Sequence, residues 1–332
     1  MDDPPALAHA ILDAIDEPAL IASGQRTIAA NRAALALLGQ SIVDRDLRFA
    51  IRHPLALDTI AARGDADIVG IGSAERPWHL SARGLVDGLT LILLSDRSQF
   101  AAAERMRTDF VANASHELRT PLATIIGYSE TLAEDGPLGD ELRIRFGATI
   151  QSEARRMLRI VEDLMSLSRI EADRFRSPGE IVDLGEVARL AVEHARPVLD
   201  RQLCKVALHI ARPAPVRGDF AQLLQLADNL IGNALRYGCP AEGCEIEVAV
   251  SDGGNGRQLL VIRDHGQGME ARHLPRLTER FYRVDAARSR DGGGTGLGLA
   301  IVKHIVERHR GTIEFLSAPG EGTEVQVRID AV

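Results

Sequence analysis

The stretch Phe110-Val-Ala-Asn-Ala-Ser-His-Glu-Leu-Arg-Thr-Pro-Leu122 decides how the middle of the chain is read. Phe110, Ala114, Leu118 and Leu122 recur every four residues, and with Met106 before them and Ile125 after they lay one apolar stripe along a helix. At about 100° per residue, His116 falls about 180° from the centre of that stripe, so it should project into solvent. Thr120, one turn later, shares its face. An exposed imidazole becomes a nucleophile when a neighbour orients the ring and takes its proton, and Glu117 is placed to do so. Pro121 cannot donate to the carbonyl four residues earlier and should kink the helix just after the histidine. Taken alone, an exposed helical histidine is also an ordinary surface residue.

Working outward, Ile150, Ala154, Met157, Val161 and Leu164 repeat the apolar pattern, and Asp135-Gly-Pro-Leu-Gly139 reads as a turn joining two antiparallel helices. Two amphipathic helices bury little surface by themselves. Residues 97–176 are therefore expected to form a helical hairpin that pairs with a second copy in a dimeric four-helix bundle.

Upstream, residues 1–96 mix short strands and short helices. Ala19-Leu-Ile-Ala, the turn Ser23-Gly24 and Thr27-Ile-Ala-Ala read as a hairpin, and Asn31 introduces a helix ending at Gly39, where glycine can take the left-handed cap. Trp78-His-Leu-Ser-Ala and Leu89-Thr-Leu-Ile-Leu-Leu read as strands separated by Gly84 and Gly88. Downstream, residues 180–332 read as an α/β domain. Its strands are expected at Cys244–Val250, Leu259–Arg263, Thr312–Leu316 and Glu324–Ile329, and its helices at Leu184–Asp200, Phe220–Arg236 and Leu297–Arg310. Ser177–Glu180 reads as a flexible connection.

The composition fits this division. With 332 residues, 45% hydrophobic and 26% charged, the chain can bury cores for two or three domains of roughly 100–200 residues each. A net charge of −8 argues against a direct nucleic-acid partner, which needs a basic face to neutralise phosphates. No stretch reaches the ~18–20 apolar residues that cross a bilayer, and the start Met1-Asp-Asp-Pro-Pro lacks the basic character of a secretory signal. The expectation is a cytoplasmic chain whose membrane contact, if any, comes through a partner or through sequence upstream. The three cysteines, Cys204, Cys239 and Cys244, form no disulfide framework, and a reducing compartment fits them best. Cys239 and Cys244 have four residues between them and no second Cys/His pair at zinc spacing nearby, so no metal is expected there.

Four motifs in the last domain carry chemistry. Asn229 and Asn233 in Asn229-Leu-Ile-Gly-Asn233-Ala-Leu-Arg236-Tyr237 point their amides from one helical face; such hard oxygens suit Mg²⁺, although two amides can also bond within the fold. Asp264-His-Gly266-Gln-Gly268 follows the apolar strand Leu259-Leu-Val-Ile, so Asp264 at the strand end can accept from an adenine amino group while the glycines admit close backbone approach. In Arg280-Phe-Tyr-Arg283-Val-Asp285, Arg283 can reach a phosphate, or the segment is a solvated turn with Phe281 in the core. Gly292-Gly-Gly294-Thr295-Gly296-Leu297-Gly298-Leu299 leads into an apolar helix, an arrangement that turns backbone N–H groups toward anionic oxygens. It is neither a Walker A loop nor a dinucleotide fingerprint, since no Gly-Lys-Ser/Thr follows and the glycine spacing differs.

Ser115-His-Glu-Leu-Arg-Thr-Pro-Leu122 matches the H-box of sensor histidine kinases, and the four later motifs resemble, in order and spacing, the asparagine, first glycine, phenylalanine and second glycine boxes of their catalytic domain. That domain has the ATP-binding (GHKL) fold shared with gyrase, Hsp90 and MutL proteins. The resemblance covers roughly residues 100–332, and residues 1–96 resemble a PAS sensor domain. It implies a multidomain α/β chain: a PAS-like α+β sensor, a phosphotransfer hairpin and an α/β-sandwich ATP-binding domain. It further implies autophosphorylation of His116 with help from Glu117, transfer to an aspartate on a response regulator, and a phosphatase reaction in which Thr120 places water. Asn233 would be the main Mg²⁺ ligand and Asp264 the adenine reader. ATP would also meet Asn229, Arg236, Tyr237, Gly266, Gly268, Arg283, Gly294, Thr295, Gly296, Leu297 and Gly298, with Thr323 of Gly322-Thr323 in the final loop by the adenine and residues 286–295 as a mobile lid. His265 and Gln267 fall at variable places. Phe49-Ala-Ile-Arg-His-Pro54 and Met106-Arg-Thr-Asp-Phe-Val-Ala-Asn look like phosphate-regulon sensor kinases, which usually carry membrane helices before the PAS domain. The competing readings are a degenerate ATP-binding scaffold, a GHKL ATPase clamp, or a member in which the phosphatase direction dominates. Residues 1–96 hold no cysteine for a flavin adduct, and His53 or His79 is a weak haem ligand.

Overall fold

Alternating apolar side chains and well-placed caps build the N-terminal part. A computed structural model of the chain describes residues 12–71, 76–134, 138–173, 176–239, 244–284 and 294–332, with the side chains of 103, 106, 107 and 202 outside that description. It divides into two compact units, residues 1–111 and 112–332. In the first, β1 (Ala19–Ser23), β2 (Arg26–Ala30), β3 (Asp65–Val69), β4 (Pro77–Gly84) and β5 (Leu89–Asp96) form an antiparallel sheet in the order β2-β1-β5-β4-β3. Helices α1 (Arg32–Leu38), α2 (Leu47–Ala50) and α3 (Pro54–Ala62) fill the connection from β2 to β3. Strand periodicity puts Trp78, Leu80, Ala82, Ile92 and Leu94 on one face, where they pack with Leu47, Ile51 and Ile60. β3 escapes a sequence reading because Ile68 is its single buried residue. Asn31 is a hub. Its Oδ1 accepts from the N–H of Ala34 (2.9 Å) and of Ala19 (3.0 Å), and its amide donates to the carbonyls of Leu12, Ile15 and Glu17. His79 is hydrogen-bonded to Asp67 at 2.7 Å on the sheet surface, and His53 occupies the N-cap position of α3 without a side-chain cap bond.

The second unit takes in the long helix α4 (Ser98–Ala133) from Ala112 onward, then α5 (Asp140–Ala172), which follows the expected turn. Of that turn, residues 135–137 lie outside the described residues, as does the Met106 side chain of the apolar stripe. α4 continues through Pro121, which is buried, so the proline does not break the helix. The apolar stripe of α5 needs correction. Ala154 and Val161 are exposed, whereas the buried residues are Arg156, Ile160, Leu167 and Ile170, on a different face. The helix has two apolar faces, and the one read from sequence is only partly covered in a single chain, with Ile150, Met157 and Leu164 half-buried.

The remainder is an α/β sandwich built from β6 (Glu180–Asp183), α6 (Leu184–Gln202), β7 (Lys205–Ile210), β8 (Pro215–Gly218), α7 (Phe220–Gly238), β9 (Glu245–Gly254), β10 (Arg257–Asp264), α8 (Gly298–Arg308), β11 (Thr312–Ala318) and β12 (Gly322–Asp330). The main sheet runs β11-β12-β10-β9-β7, with β7 and β9 parallel and the rest antiparallel, and β6 pairs with β8 in a small separate sheet. Leu223, Leu226, Leu230 and Ile231 of α7 and Ile301, Val302 and Ile305 of α8 are buried, as are Ile246, Val248, Leu260, Ile262 and Val327 of the sheet. The expected strands and helices occur, with ends shifted by a few residues. β6, β7 and β8 were not expected, and Glu180, read as part of a flexible link, is the first residue of β6. The fold also brings the three cysteines together, which the sequence did not show: the Sγ atoms of Cys204, Cys239 and Cys244 lie within 4.8 Å of one another.

Candidate functional site

α7 sorts its residues by face. Leu223, Leu226, Leu230 and Ile231 go into the core, which leaves Asn229, Asn233, Arg236 and Tyr237 on the wall of a cavity of about 330 Å³. Ile262, Met269, Leu277, Phe315 and Val325 supply apolar wall, and the glycine loop before α8 closes another side. A mostly apolar cleft with a few aimed polar groups suits a flat heterocycle carrying an anionic tail.

Asp264 closes β10 at the cavity and is 7% exposed. Its Oδ1 accepts from the N–H of Gly266 (3.0 Å) and of Thr323 (3.2 Å), leaving Oδ2 for a ligand. Burial pushes this carboxyl above its ordinary value, and the two N–H bonds hold the shift back. Asn229 has a buried Nδ2 with no hydrogen-bond partner, a group that costs about 1–3 kcal/mol to leave unmet. An orphaned donor beside Asn233, with Gly298 at the head of α8, fits a polyphosphate and its cation.

Two glycines act differently from the expectation. A Cβ on Gly266 would lie 2.4 Å from the Cα of Gly238, so Gly266 admits the end of α7 rather than a ligand, and it does not line the cavity. Gly268 does line it, at φ +61°, with room for a side chain removed by the Ala318 carbonyl. Leu297 is also off the wall: it is fully buried, and its N–H donates to Thr295 Oγ1 at 3.2 Å. The other expected ligand contacts, Arg283, Gly294, Thr295, Gly296, Gly298 and Thr323, do line the cavity. Most of the proposed lid lies outside the described residues, which omit 285–293.

His116 is exposed, as its position opposite the stripe required. Thr120 donates its hydroxyl to the His116 carbonyl at 3.3 Å. Neither these two nor Glu117 lines the cavity. Glu117 is instead held by two arginines: Arg156 Nη2 stands 3.1 Å and Arg283 Nη2 3.2 Å from its Oε2. Both guanidinium groups are more than nine-tenths buried. Arg283 also donates to the carbonyl of Gly294, so one side chain joins the H-box to the glycine loop.

Further bonds fasten the hairpin to the sandwich. Thr295 donates to Asp163 Oδ2 at 2.6 Å, Ser166 donates to Gln225 at 2.8 Å, and Arg280 pairs with Glu171. Burial raises the Asp163 carboxyl above its ordinary range, and the Thr295 bond opposes that. Arg159, Glu162 and Asp163 of α5 therefore join the cavity wall, which sequence reading missed. The available signal was the second apolar line, Ile160, Leu167 and Ile170, running beside them.

Comparison with known proteins gives the class. Residues 106–173 match the His Kinase A (phospho-acceptor) domain, and residues 218–332 match the histidine kinase-, DNA gyrase B-, and HSP90-like ATPase domain. The chain belongs to the two-component sensor histidine kinases. It is similar to the phosphate regulon sensor protein PhoR of Pseudomonas aeruginosa, 40% identical over 233 residues that make up 70% of this chain and 52% of that protein. It is also similar to the sensor histidine kinase WalK of Bacillus subtilis, 35% identical over 73% of this chain and 39% of the relative. The chain thus spans about half the length of the curated relatives it matches. Among solved structures, the Acinetobacter baumannii histidine kinase AdeS shares the fold, with a TM-score of 0.50 at 24% identity over 65% of this chain and 97% of that one. Among the described residues no helix is long and apolar enough to cross a membrane.

Proposed function

We propose that the chain is a protein histidine kinase that binds ATP in the cavity beside α7 and moves its γ-phosphoryl group to His116. The observation that carries the reading is the pairing of a cleft holding a buried carboxylate, Asp264, and an unpartnered amide, Asn229, with an exposed histidine on a hairpin docked to the same sandwich. Asp264 Oδ2 would accept from the adenine amino group, with Thr323 and Gly268 shaping that end. Arg236, Tyr237, Arg283 and the backbone from Gly294 to Gly298 would meet the phosphates. Mg²⁺, held through the Asn233 side-chain oxygen, would offset the charge gathered on them.

In transfer, an imidazole nitrogen of His116 attacks the γ-phosphorus in line, the bond to the β-phosphate oxygen breaks, and ADP leaves with the electron pair. The imidazole proton passes to Glu117. Glu117 must first part from Arg283, so the arrangement described here is a resting one, and the release of Arg283 onto phosphate would free both groups together. The phosphoryl group then moves from His116 to an aspartate carboxylate of a response regulator docked on the hairpin. Thr120, once its hydroxyl leaves the His116 carbonyl, would hold the water that attacks the regulator's phosphoaspartate, breaking its phosphorus–carboxylate bond and releasing inorganic phosphate.

The proposed division is residues 1–96 as a PAS-like sensor, 97–176 as the dimerising phosphotransfer hairpin, and 180–332 as the ATP-binding domain. The five-stranded antiparallel order β2-β1-β5-β4-β3 supports the sensor. The exposed Val111, Leu122, Ile126, Leu158, Val161 and Met165 on the hairpin support a homodimer. A shift in α4, which opens at Ser98, would carry the signal between two states. The likeness to PhoR supports phosphate-starvation signalling from the cytoplasmic side.

Incubation with γ-labelled ATP and Mg²⁺ tests the reading. Acid-labile, alkali-stable label on the wild type and none on His116→Ala is expected. Label retained on His116→Ala would refute it.

A further inference from the structure

Three thiols that sequence keeps apart are brought together by strand register. β7 and β9 run parallel with Lys205 beside Glu245, so the residues just before them, Cys204 and Cys244, stand side by side with Cα atoms 4.8 Å apart. Cys239 is the C-cap of α7, with its Cα 5.4 Å from that of Cys244. All three Sγ atoms fall within 4.8 Å of one another, Cys239 buried and the other two half-buried. The Cys244 sulfur is in bonding reach of both others, yet a sulfur closes a single disulfide, so no pairing satisfies all three.

We propose that Cys204, Cys239 and Cys244 are a three-thiolate site for a soft or borderline metal cation, for which Zn²⁺ is the probe, and that its occupancy alters the nucleotide cavity. Thiolates are the preferred ligands of such ions, and Cys239 and Cys244, with four residues between them, keep the usual spacing of one zinc ligand pair. Zn–S bonds of about 2.3 Å set tetrahedral sulfurs about 3.8 Å apart, so the Cys244 sulfur would draw back from both neighbours on binding, with the Cα atoms staying 4.8 and 5.4 Å apart. The half-exposure of Cys204 and Cys244 leaves the fourth position open to water. Three thiolates and one divalent cation carry one net negative charge, which a half-exposed site tolerates better than three separate thiolates.

The route to the cavity is short. Cys239 directly follows Tyr237 and Gly238, and a Cβ on Gly238 would lie 2.2 Å from the Asp264 side chain, so the end of α7 rests on that carboxylate. Gly266 touches the same backbone. A metal that fixes Cys239 fixes the wall on which Asp264 and Tyr237 sit. This coupling rests on the nucleotide reading of the cavity, whereas metal uptake does not, so the two can fail separately.

The test is a titration of the full chain, reduced and stripped of metal, with Co²⁺ as the spectroscopic probe and Zn²⁺ as competitor. One equivalent per chain with sulfur-to-cobalt charge-transfer absorption, displaced by Zn²⁺, is expected. Cys204→Ser is the decisive variant, because it leaves the Cys239/Cys244 pair whole; uptake should weaken more than about tenfold while the metal-free melting temperature is kept. Absence of the absorption in reduced protein, or unchanged uptake by Cys204→Ser, would overturn the site. One free thiol per chain in protein isolated without oxygen would also overturn it, in favour of a disulfide. ADP affinity measured with and without Zn²⁺ should differ severalfold, and equal affinities would overturn the coupling.

Discussion

Replacing Asp264 by Asn isolates the group on which the nucleotide reading depends. The shape is kept, and an amide oxygen in the place of Oδ1 still accepts from the N–H groups of Gly266 and Thr323 at 3.0 and 3.2 Å. What changes is the second atom, which becomes a donor where the carboxylate offered an acceptor. A hydrogen bond between a charged acceptor and the adenine amino group contributes about 1.5–3 kcal/mol, and setting two donors face to face adds a desolvation cost of similar size. A loss of about 3 kcal/mol corresponds to roughly 150-fold in Kd. Stability should move the other way. Burial raises this carboxyl, so its ionised form is the strained one at neutral pH, and the neutral amide relieves that. Calorimetric titration with ADP should therefore show affinity weakened about 100-fold, in a variant that melts no lower than wild type. Discrimination against guanine nucleotides should fall with it. An ADP affinity within threefold of wild type would refute the placement of the adenine at Asp264.

Other expectations follow from single groups. Asp163 has a folded-state value raised above 3.8, so the native state holds its proton more readily, and stability declines as pH rises through that window. Asp163→Asn, which keeps an acceptor for Thr295, should raise the melting temperature at neutral pH, with the advantage shrinking toward pH about 4; a constant advantage would contradict this. His309 is buried and neutral: its Nδ1–H donates to the Ile305 carbonyl and its Nε2 accepts from the Asp219 N–H at 3.0 Å. Burial lowers its value below 6.5, so its contribution is complete above 6.5 and is lost as pH falls below it, which urea unfolding of wild type against His309→Gln should show as a flattened pH dependence. Gly238→Ala places a methyl group 2.2 Å from the Asp264 side chain and should cost about 1–3 kcal/mol of stability together with measurable ADP affinity. Asn31→Ala breaks five hydrogen bonds at a buried cap and should destabilise the first unit by about 3–5 kcal/mol in chemical denaturation.

Local chemistry made much of this legible in advance. The helix cap at Asn31, the turn at Ser23-Gly24 and the period-two alternation of β4, β5, β9 and β10 are short-range signals, and the elements formed where those signals lay. The solvent-facing position of His116 followed from helical geometry. What stayed hidden depends on tertiary contact. β7 is unevenly buried and shows no alternation, and β8, although Val216 and Gly218 alternate with Pro215 and Arg217, is only four residues long. The stripe of Ile160, Leu167 and Ile170 could not be ranked against the first stripe without knowing which face meets α8. The Arg156 and Arg283 hold on Glu117 joins residues far apart in the chain, and Arg283 read as a phosphate contact or as part of a solvated turn. Gly266 was assigned to ligand approach because glycine freedom shows in a sequence while the backbone that it admits does not.

The central claim is that His116 takes the γ-phosphoryl group. Peptide mapping by mass spectrometry under alkaline conditions, after brief incubation with Mg-ATP, locates that group directly. The account predicts one phosphorylated peptide, the one spanning His116, and its absence from an Asn233→Ala variant that retains the fold. A phosphorylated peptide elsewhere, or hydrolysis of ATP with His116 unmodified throughout, would contradict it.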